Sequence, residues 1–183
     1  MKYIKCFWGI RAIFYKFFFK EFKFPSYIGK PCFILGSRKV SIKKKVRIFP
    51  GLRIECHRNG EILIEENVSI GQNFHITSAG TLKIGKNTTI SGNVLVTNID
   101  HEYREMGIHI LEQDLLIKET KIGENSFIGF GAIIQAGTIL GKQCIVGSNS
   151  VVRGIYPDYS VIVGNPGKIV KKYNTETNEW ERT

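Results

Sequence analysis

The sequence predicts an all-β chain wound as a parallel β-helix of about five coils, carrying one inserted loop and a short N-terminal helical segment. Three observations predict it. Across 120–153 an aliphatic residue recurs every sixth position: Ile122, Ile128, Ile134, Leu140, Val146 and Val152. Two places before each stands a small residue, Thr120, Ser126, Ala132, Thr138, Cys144 or Ser150, and Gly follows at 123, 129, 141 and 147. An α-helix cannot use this period, because six residues span ~1.67 helical turns and the aliphatic positions would face opposite ways. A short strand followed by a tight corner fits: the aliphatic residue points inward, the small residue lets the chain turn, and Gly permits positive φ there. Three such faces close one triangular coil.

The elements follow in order. Residues 1–29 are rich in aromatic and basic side chains, and no Gly or Pro interrupts 10–24, so a helix is expected there. Residues 30–172 form the β-helix. Ile42, Ile48 and Ile54 make one set of sixes, Ile64, Ile70 and Ile76 a second, and Ile84, Ile90 and Val96 a third. The shifts between sets imply small insertions near His57–Gly60 and Ser78–Gly80. Stacked coils share a continuous core. Between Val96 and Thr120 the period stops, and a loop insertion is expected at 97–121. Residues 173–183 are a polar tail with Trp180, expected as a strand or short helix on the last coil or as a loose end.

The loop concentrates ionisable groups that the coil faces lack. It reads Asn98, Ile99, Asp100, His101, Glu102, Tyr103 and Arg104, then runs to Glu112, Gln113 and Asp114. A loop this long inside a compact domain is usually functional. Among these groups imidazole, with a reference pKa of about 6.5, is the one suited to act as a general base near neutral pH.

This combination of six-residue repeat, interrupting loop and closing segment Gly164-Asn165-Pro166-Gly167-Lys168 resembles the hexapeptide-repeat acetyltransferases over roughly residues 30–172. It looks like the maltose/galactoside O-acetyltransferase group, and most like the enzymes that decorate capsule and O-antigen polysaccharide. The resemblance implies a left-handed helix, a homotrimer, acetyl-CoA as co-substrate without a metal, and a saccharide acceptor that is free or lipid-linked. His101 matches the catalytic histidine. Its orienting carboxylate is left open between Asp100, which extended backbone points to the opposite side, and Glu112 or Asp114 later in the loop. His75 sits beside core position Ile76 and faces outward. With Asn73, Thr77, Asn98, Tyr103 and Arg104 it is expected at the acceptor. Phe130, Gly131, Ser148, Arg153, Lys168 and Lys171 are expected along CoA, the basic residues facing phosphate. Transfer to an amino-sugar nitrogen is the alternative. A metal lyase resembling the gamma carbonic anhydrases is disfavoured, because His57, His75, His101 and His109 lack that family's close histidine pair. A non-catalytic scaffold would not require the polar loop.

Charge is uneven along the chain. Residues 1–58 hold 15 Lys/Arg against Glu21 and Glu55, while 59–183 hold 11 against 14 acids, so +13 and −3 give the net +10. The basic end is suited to an anionic surface, and peripheral contact with the inner membrane face is one expectation. Nucleic acid is not expected, since no binding motif accompanies the charge. The N-terminal apolar stretch is broken by Arg11, Lys16, Lys20 and Lys23, so neither a spanning helix nor a cleavable leader is expected. Cys6, Cys32, Cys56 and Cys144 form no CxxC pair, which reads as free thiols in a reducing cytoplasm.

Overall fold

Every one of the sixth-position aliphatic residues is buried in a single core that runs the length of a three-sided solenoid. The computed structural model describes residues 2–183, with side chains from residue 6 onward. Sheet I stacks seven parallel strands, from Glu21–Phe22 and Val40–Ile42 through Thr81–Ile84 and Thr120–Ile122 to Ile155–Tyr156. Sheet II runs from Tyr27–Ile28 to Ser160–Val163, and sheet III from Phe33–Leu35 to Val151–Val152 with six strands. Successive strands of one sheet pair in parallel at constant register, as in Ile54 beside Ile76 beside Val96 beside Ile134 beside Val152. Backbone groups thus find partners one coil away, and inward side chains meet their own kind.

The count of coils is therefore about seven rather than five. The first coil uses Phe22, Ile28 and Ile34 at the same spacing, but its aromatic and basic surroundings read as helix. The last has Tyr156 where an aliphatic is expected, and Ile162 follows six residues later. The helix α1 spans Lys2–Tyr15 only, and parallel pairing already begins at Glu21, inside the stretch expected to be helical. Tyr15, Phe19 and Phe22 form an edge-on aromatic stack, with Phe19 and Phe22 buried, over the open end of the first coil. Covering that end sets the chain's course after Tyr15.

Two corner expectations change in detail. The small residue before each core aliphatic holds for 120–153, where Thr120, Ser126, Ala132, Thr138, Cys144 and Ser150 are all buried. In the earlier coils the same position carries Leu52, Ile62, Phe74, Leu82 and Val94, also buried. Positive φ at the corners belongs mainly to asparagine, at Asn67, Asn73, Asn87, Asn93, Asn125 and Asn149, the residue type after Gly that best tolerates it. The glycines after the aliphatic positions serve close approach instead. A Cβ on Gly85 would lie 2.6 Å from the Glu124 nitrogen, and one on Gly129 2.5 Å from the Ser148 nitrogen.

The corner from sheet III to sheet I holds every irregular turn. The expected insertions at His57–Gly60 and Ser78–Gly80 are here, as is the long loop, which leaves after Thr97 and rejoins at Thr120. The tail extends sheet II by two antiparallel strands, Lys168–Asn174 and Glu179–Arg182, with Tyr159, Tyr173 and Trp180 stacked beside them. Among the described residues no helix is long and apolar enough to cross a membrane.

Candidate functional site

The inserted loop is a hairpin. Ile99–His101 pairs antiparallel with Leu115–Ile117, with His101 opposite Leu115, and the Glu102 N–H donates to the Asp114 carbonyl at 2.9 Å. The base of the hairpin is fixed by Asn98. Its Oδ1 accepts the Ala79 N–H at 3.0 Å, and its Nδ2 donates to Ser78 Oγ at 3.0 Å and to the Thr81 carbonyl at 3.3 Å. Asn98 is fully buried, so the expectation that it meets the acceptor is corrected: it ties the hairpin to the coil beneath. The return strand is held at Thr120, whose hydroxyl donates to the Thr97 carbonyl at 3.1 Å and accepts the Gly137 N–H at 3.1 Å.

Beyond His101 the hairpin is braced from within. Glu102 forms a two-point pair with the Arg104 guanidinium and accepts the Tyr103 N–H at 2.9 Å. The Arg104 side chain, aided by the Tyr103 and Arg104 N–H groups, pulls the Glu102 carboxyl down to about 2. Gln113, buried, donates to the Ile108 carbonyl at 2.9 Å and accepts the Glu105 N–H at 3.2 Å. Arg104, expected at the acceptor, is thus engaged in holding the loop, while Tyr103 is exposed.

His101 itself is exposed on the first hairpin strand, and among the described residues its ring has no hydrogen-bond or ion-pair partner. Neither Glu112 nor Asp114 reaches it; both are exposed, and their contacts here are through backbone. Asp100 does not face the ring either. Its Oδ1 accepts the backbone N–H of His101 at 3.1 Å, and its Oδ2 meets Arg153 Nη2 at 2.6 Å and Lys118 Nζ at 3.5 Å. Partial burial pushes the Asp100 carboxyl up, but the His101 N–H and the two cations outweigh it and hold it below the usual value of 3.8. The expected ring contacts are corrected accordingly: Asp100 clamps the strand that carries His101.

Arg153, expected on a CoA phosphate, is the other half of that clamp. Of the remaining residues expected at CoA, Phe130, Gly131 and Ser148 lie at the corner between sheets II and III, and the two lysines lie on the strand added to sheet II. Phe130 and Gly131 stack on Ser148 and Asn149 of the next coil, with the Asn149 N–H donating to the Phe130 carbonyl at 2.8 Å. Lys168 opens the antiparallel strand beside Val163 one coil later, and Lys171 pairs with Val161 on the flank of sheet II. Phe130 and Ser148 are exposed.

The outer face of sheet III leads from the first coil toward the hairpin. Its outward columns read Phe33, Arg53, His75, Leu95 and Leu35, Glu55, Thr77, Thr97. Glu55 joins Arg53 Nε at 2.5 Å, His75 Nε2 at 3.2 Å and His57 Nε2 at 3.5 Å. Burial opposes ionisation of Glu55, but Arg53 and His75 prevail and lower its pKa. Thr77 Oγ1 donates to Thr97 Oγ1 at 2.8 Å, which in turn accepts the Ile99 N–H at 3.0 Å. His75 and Thr77 therefore share one polar face that ends at the hairpin base. Asn73 is set apart from them: it sits at φ 55° in the opposite corner, donating to Asn93 Oδ1 at 3.0 Å, and shapes the turn.

Sequence reasoning missed the Asp100–Arg153 clamp and the Glu55 cluster. Register carried the signal for both. Val96, Ile134 and Val152 stack in adjacent coils, so the positions after them, Thr97 and Arg153, share an edge.

Comparison with known proteins agrees with this architecture. The signature described as "Bacterial transferase hexapeptide (six repeats)" matches residues 119–154. The Escherichia coli (strain K12) protein named "Putative lipopolysaccharide biosynthesis O-acetyl transferase WbbJ" is 33% identical over 159 residues, 83% of this chain and 81% of that protein. Galactoside O-acetyltransferase of the same organism is 28% identical over 118 residues, covering 59% of this chain and 55% of that one. Among solved structures, AntD, an N-acyltransferase from Bacillus cereus in complex with dTDP and 3-hydroxybutyryl-CoA, superposes with TM-score 0.77 at 19% identity, over 91% of this chain and 90% of its own. A maltose O-acetyltransferase from Clostridium difficile 630 gives 0.59 at 20% identity, over 91% and 87%. The solenoid carries the transferase hexapeptide signature in the coils that follow its one polar hairpin. This chain belongs to the hexapeptide-repeat transferase family, and it is an acyltransferase of that family.

Proposed function

We propose that this enzyme moves an acetyl group from acetyl-CoA onto a sugar hydroxyl of a surface polysaccharide or its precursor, with His101 as general base. The observation that carries the reading is the placement of His101. It is an exposed imidazole on a strand clamped through Asp100 to two cations, at the end of a polar sheet face. The similarity to the E. coli lipopolysaccharide O-acetyl transferase supports the acceptor class.

In this mechanism the imidazole takes the hydroxyl proton while the sugar oxygen attacks the thioester carbonyl carbon. The carbon–sulfur bond of the tetrahedral intermediate then breaks, and the thiolate leaves with the proton returned from the imidazolium. The Glu55, His75 and Thr77 face is read as the acceptor side, where a network of carboxylate, imidazole and hydroxyl suits sugar hydroxyls. Phe130, Gly131, Ser148, Lys168 and Lys171 are read as the CoA side. Exposed backbone at successive corners suits the amide-rich pantetheine arm, and the lysines suit its phosphates. A left-handed, trimeric assembly completes this reading. The exposed apolar residues of the hairpin, Met106, Ile108 and Leu111, give each copy a surface to lay against a neighbour.

The test is His101→Ala and His101→Gln, incubated with acetyl-CoA and a panel of free and lipid-linked glycans, amino-sugars included, read by mass gain of one acetyl group. Losing transfer while far-UV dichroism and oligomer size stay unchanged is the expected result. Full activity in either variant would overturn the assignment, and product on nitrogen alone would replace the acceptor class.

A further inference from the structure

The first helix is apolar on both sides, and the coil uses only one of them. Trp8 packs on Tyr27 and Phe49 with ring centroids 5.7 and 5.5 Å away, and Ala12 is buried. Phe7, Ile10, Ile13 and Phe14 fall on the opposite side at helical spacing, and all are exposed. Phe17 and Phe18 prolong that surface past the helix end, and Phe24 joins it at 75% exposure. So many large apolar side chains facing water in one place mark an interaction surface.

Charge selects the occupant. Lys16 and Lys23 line the same cleft as Ile13, Phe22 and Phe24, so cations rim the apolar surface. The only acid before Glu55 is Glu21, and its oxygens are held by Lys23 at 2.9 Å and Lys43 at 2.5 Å. The acids that later coils bring to this end are also paired, Glu61 with Lys20 at 2.6 Å and Glu66 with Lys44 at 3.4 Å, so lysine remains in excess around the apolar surface. Aromatic and aliphatic side chains bordered by lysine are the composition of a helix lying in a lipid–water interface. The helix has 14 residues, about 21 Å at 1.5 Å per residue, against a hydrocarbon core of about 30 Å, so it lies flat rather than spans.

We propose that α1 and the turns after it dock the enzyme on an anionic bilayer surface, inserting Phe7, Ile10, Phe14 and Phe17 among the acyl chains while Lys16 and Lys23 meet lipid phosphates. Sheet III begins at this end of the solenoid with exposed Phe33. Its polar face therefore runs from the docked end toward the hairpin.

The test is co-sedimentation of the full chain with phosphatidylcholine vesicles, with or without about 30% phosphatidylglycerol. The wild type should pellet with the anionic vesicles, at least about tenfold more than with neutral ones, and less as salt rises. The Phe14→Asp/Phe17→Asp variant, whose residues touch solvent rather than core, should lose about tenfold or more of that partition and keep its melting temperature. Lys16→Glu/Lys23→Glu should lose the preference for anionic vesicles. Wild type that ignores anionic vesicles, or a Phe14→Asp/Phe17→Asp variant that binds them as well as wild type does, overturns the proposal. So does a fall in oligomer size by light scattering for that variant without vesicles, which would assign the face to a second copy of the chain.

Discussion

Replacing Asp100 with Ala separates a residue that positions the proposed base, His101, from one that merely stabilises the fold. The three partners of its carboxylate are Arg153 Nη2, Lys118 Nζ and the His101 N–H. The side chains of Asp100, Lys118 and Arg153 are 38%, 41% and 50% exposed, so solvent screens both ion pairs. Each is then worth about 0.2–1 kcal/mol, and the bond from the His101 N–H adds about 1 kcal/mol. The total is about 2 kcal/mol, which for a chain of this length lowers the melting temperature by roughly 4–8 °C. Catalysis should suffer more. Freed from the clamp, the strand can displace the imidazole, and a misplacement of about 1 Å costs on the order of a hundredfold in rate. The expected result is a 10- to 100-fold fall in kcat, about 1.4–2.7 kcal/mol, with a modest thermal shift. Asp100→Asn keeps an acceptor for the His101 N–H but loses the charge, and should fall between Ala and wild type. Differential scanning fluorimetry and single-turnover acetyl transfer measure the two effects. If both variants keep kcat within about threefold of wild type, the clamp does not position His101 and the argument fails. The pH sign is fixed by the depressed Asp100 pKa: its stabilisation is full above 3.8 and is lost as pH falls through the lower folded value. The clamp is therefore intact at neutral pH.

Asn98→Ala strips the buried Ala79 N–H of its acceptor and should cost about 2–4 kcal/mol, with the hairpin cut early in limited proteolysis while the solenoid persists. Glu102 stabilises the hairpin above its unfolded pKa near 4.5, and that contribution is lost as pH falls toward about 2. Amide exchange at Tyr103 and Arg104 should accelerate across this window in wild type, whereas Glu102→Gln should exchange fast throughout. His75→Ala should raise the acceptor KM about tenfold with kcat little changed, as expected for a group that binds acceptor without moving its proton; an unchanged KM removes His75 from the acceptor side.

The core was legible because one constraint repeats. Each coil places its inward residue above that of the coil before, so a six-residue spacing survives in the sequence wherever aliphatics fill it. It faded where Phe22 and Tyr156 took the inward position, and that is how the first and last coils escaped notice. The corner glycines were placed correctly but for an incomplete reason, since close approach of the next coil excludes a Cβ while asparagine takes the left-handed turn. The inserted hairpin that carries the candidate site was legible as a break in the period. Its contacts were not, because they depend on where the hairpin's side chains turn. Asp100, one of three carboxylates left open as the imidazole's partner, instead reaches Arg153, 53 residues away.

That displacement follows from the architecture. A solenoid face repeats short strands whose inward positions are closed to solvent and whose backbone is consumed by the coils on either side. Reactive groups can stand free only on outward columns or where the winding is interrupted. An interruption alone gives a mobile loop, and the proposed base needs a fixed address. Here the address comes from outside the loop: Asn98 fastens one end into the coil below, Thr120 fastens the other, and Arg153 of a later coil grips the strand between them. Holding a hairpin from coils on both sides of its origin requires coils after the insertion as well as before it. Placing the break mid-chain, between Thr97 and Thr120, satisfies that requirement; a break after the last coil would leave the imidazole without its clamp.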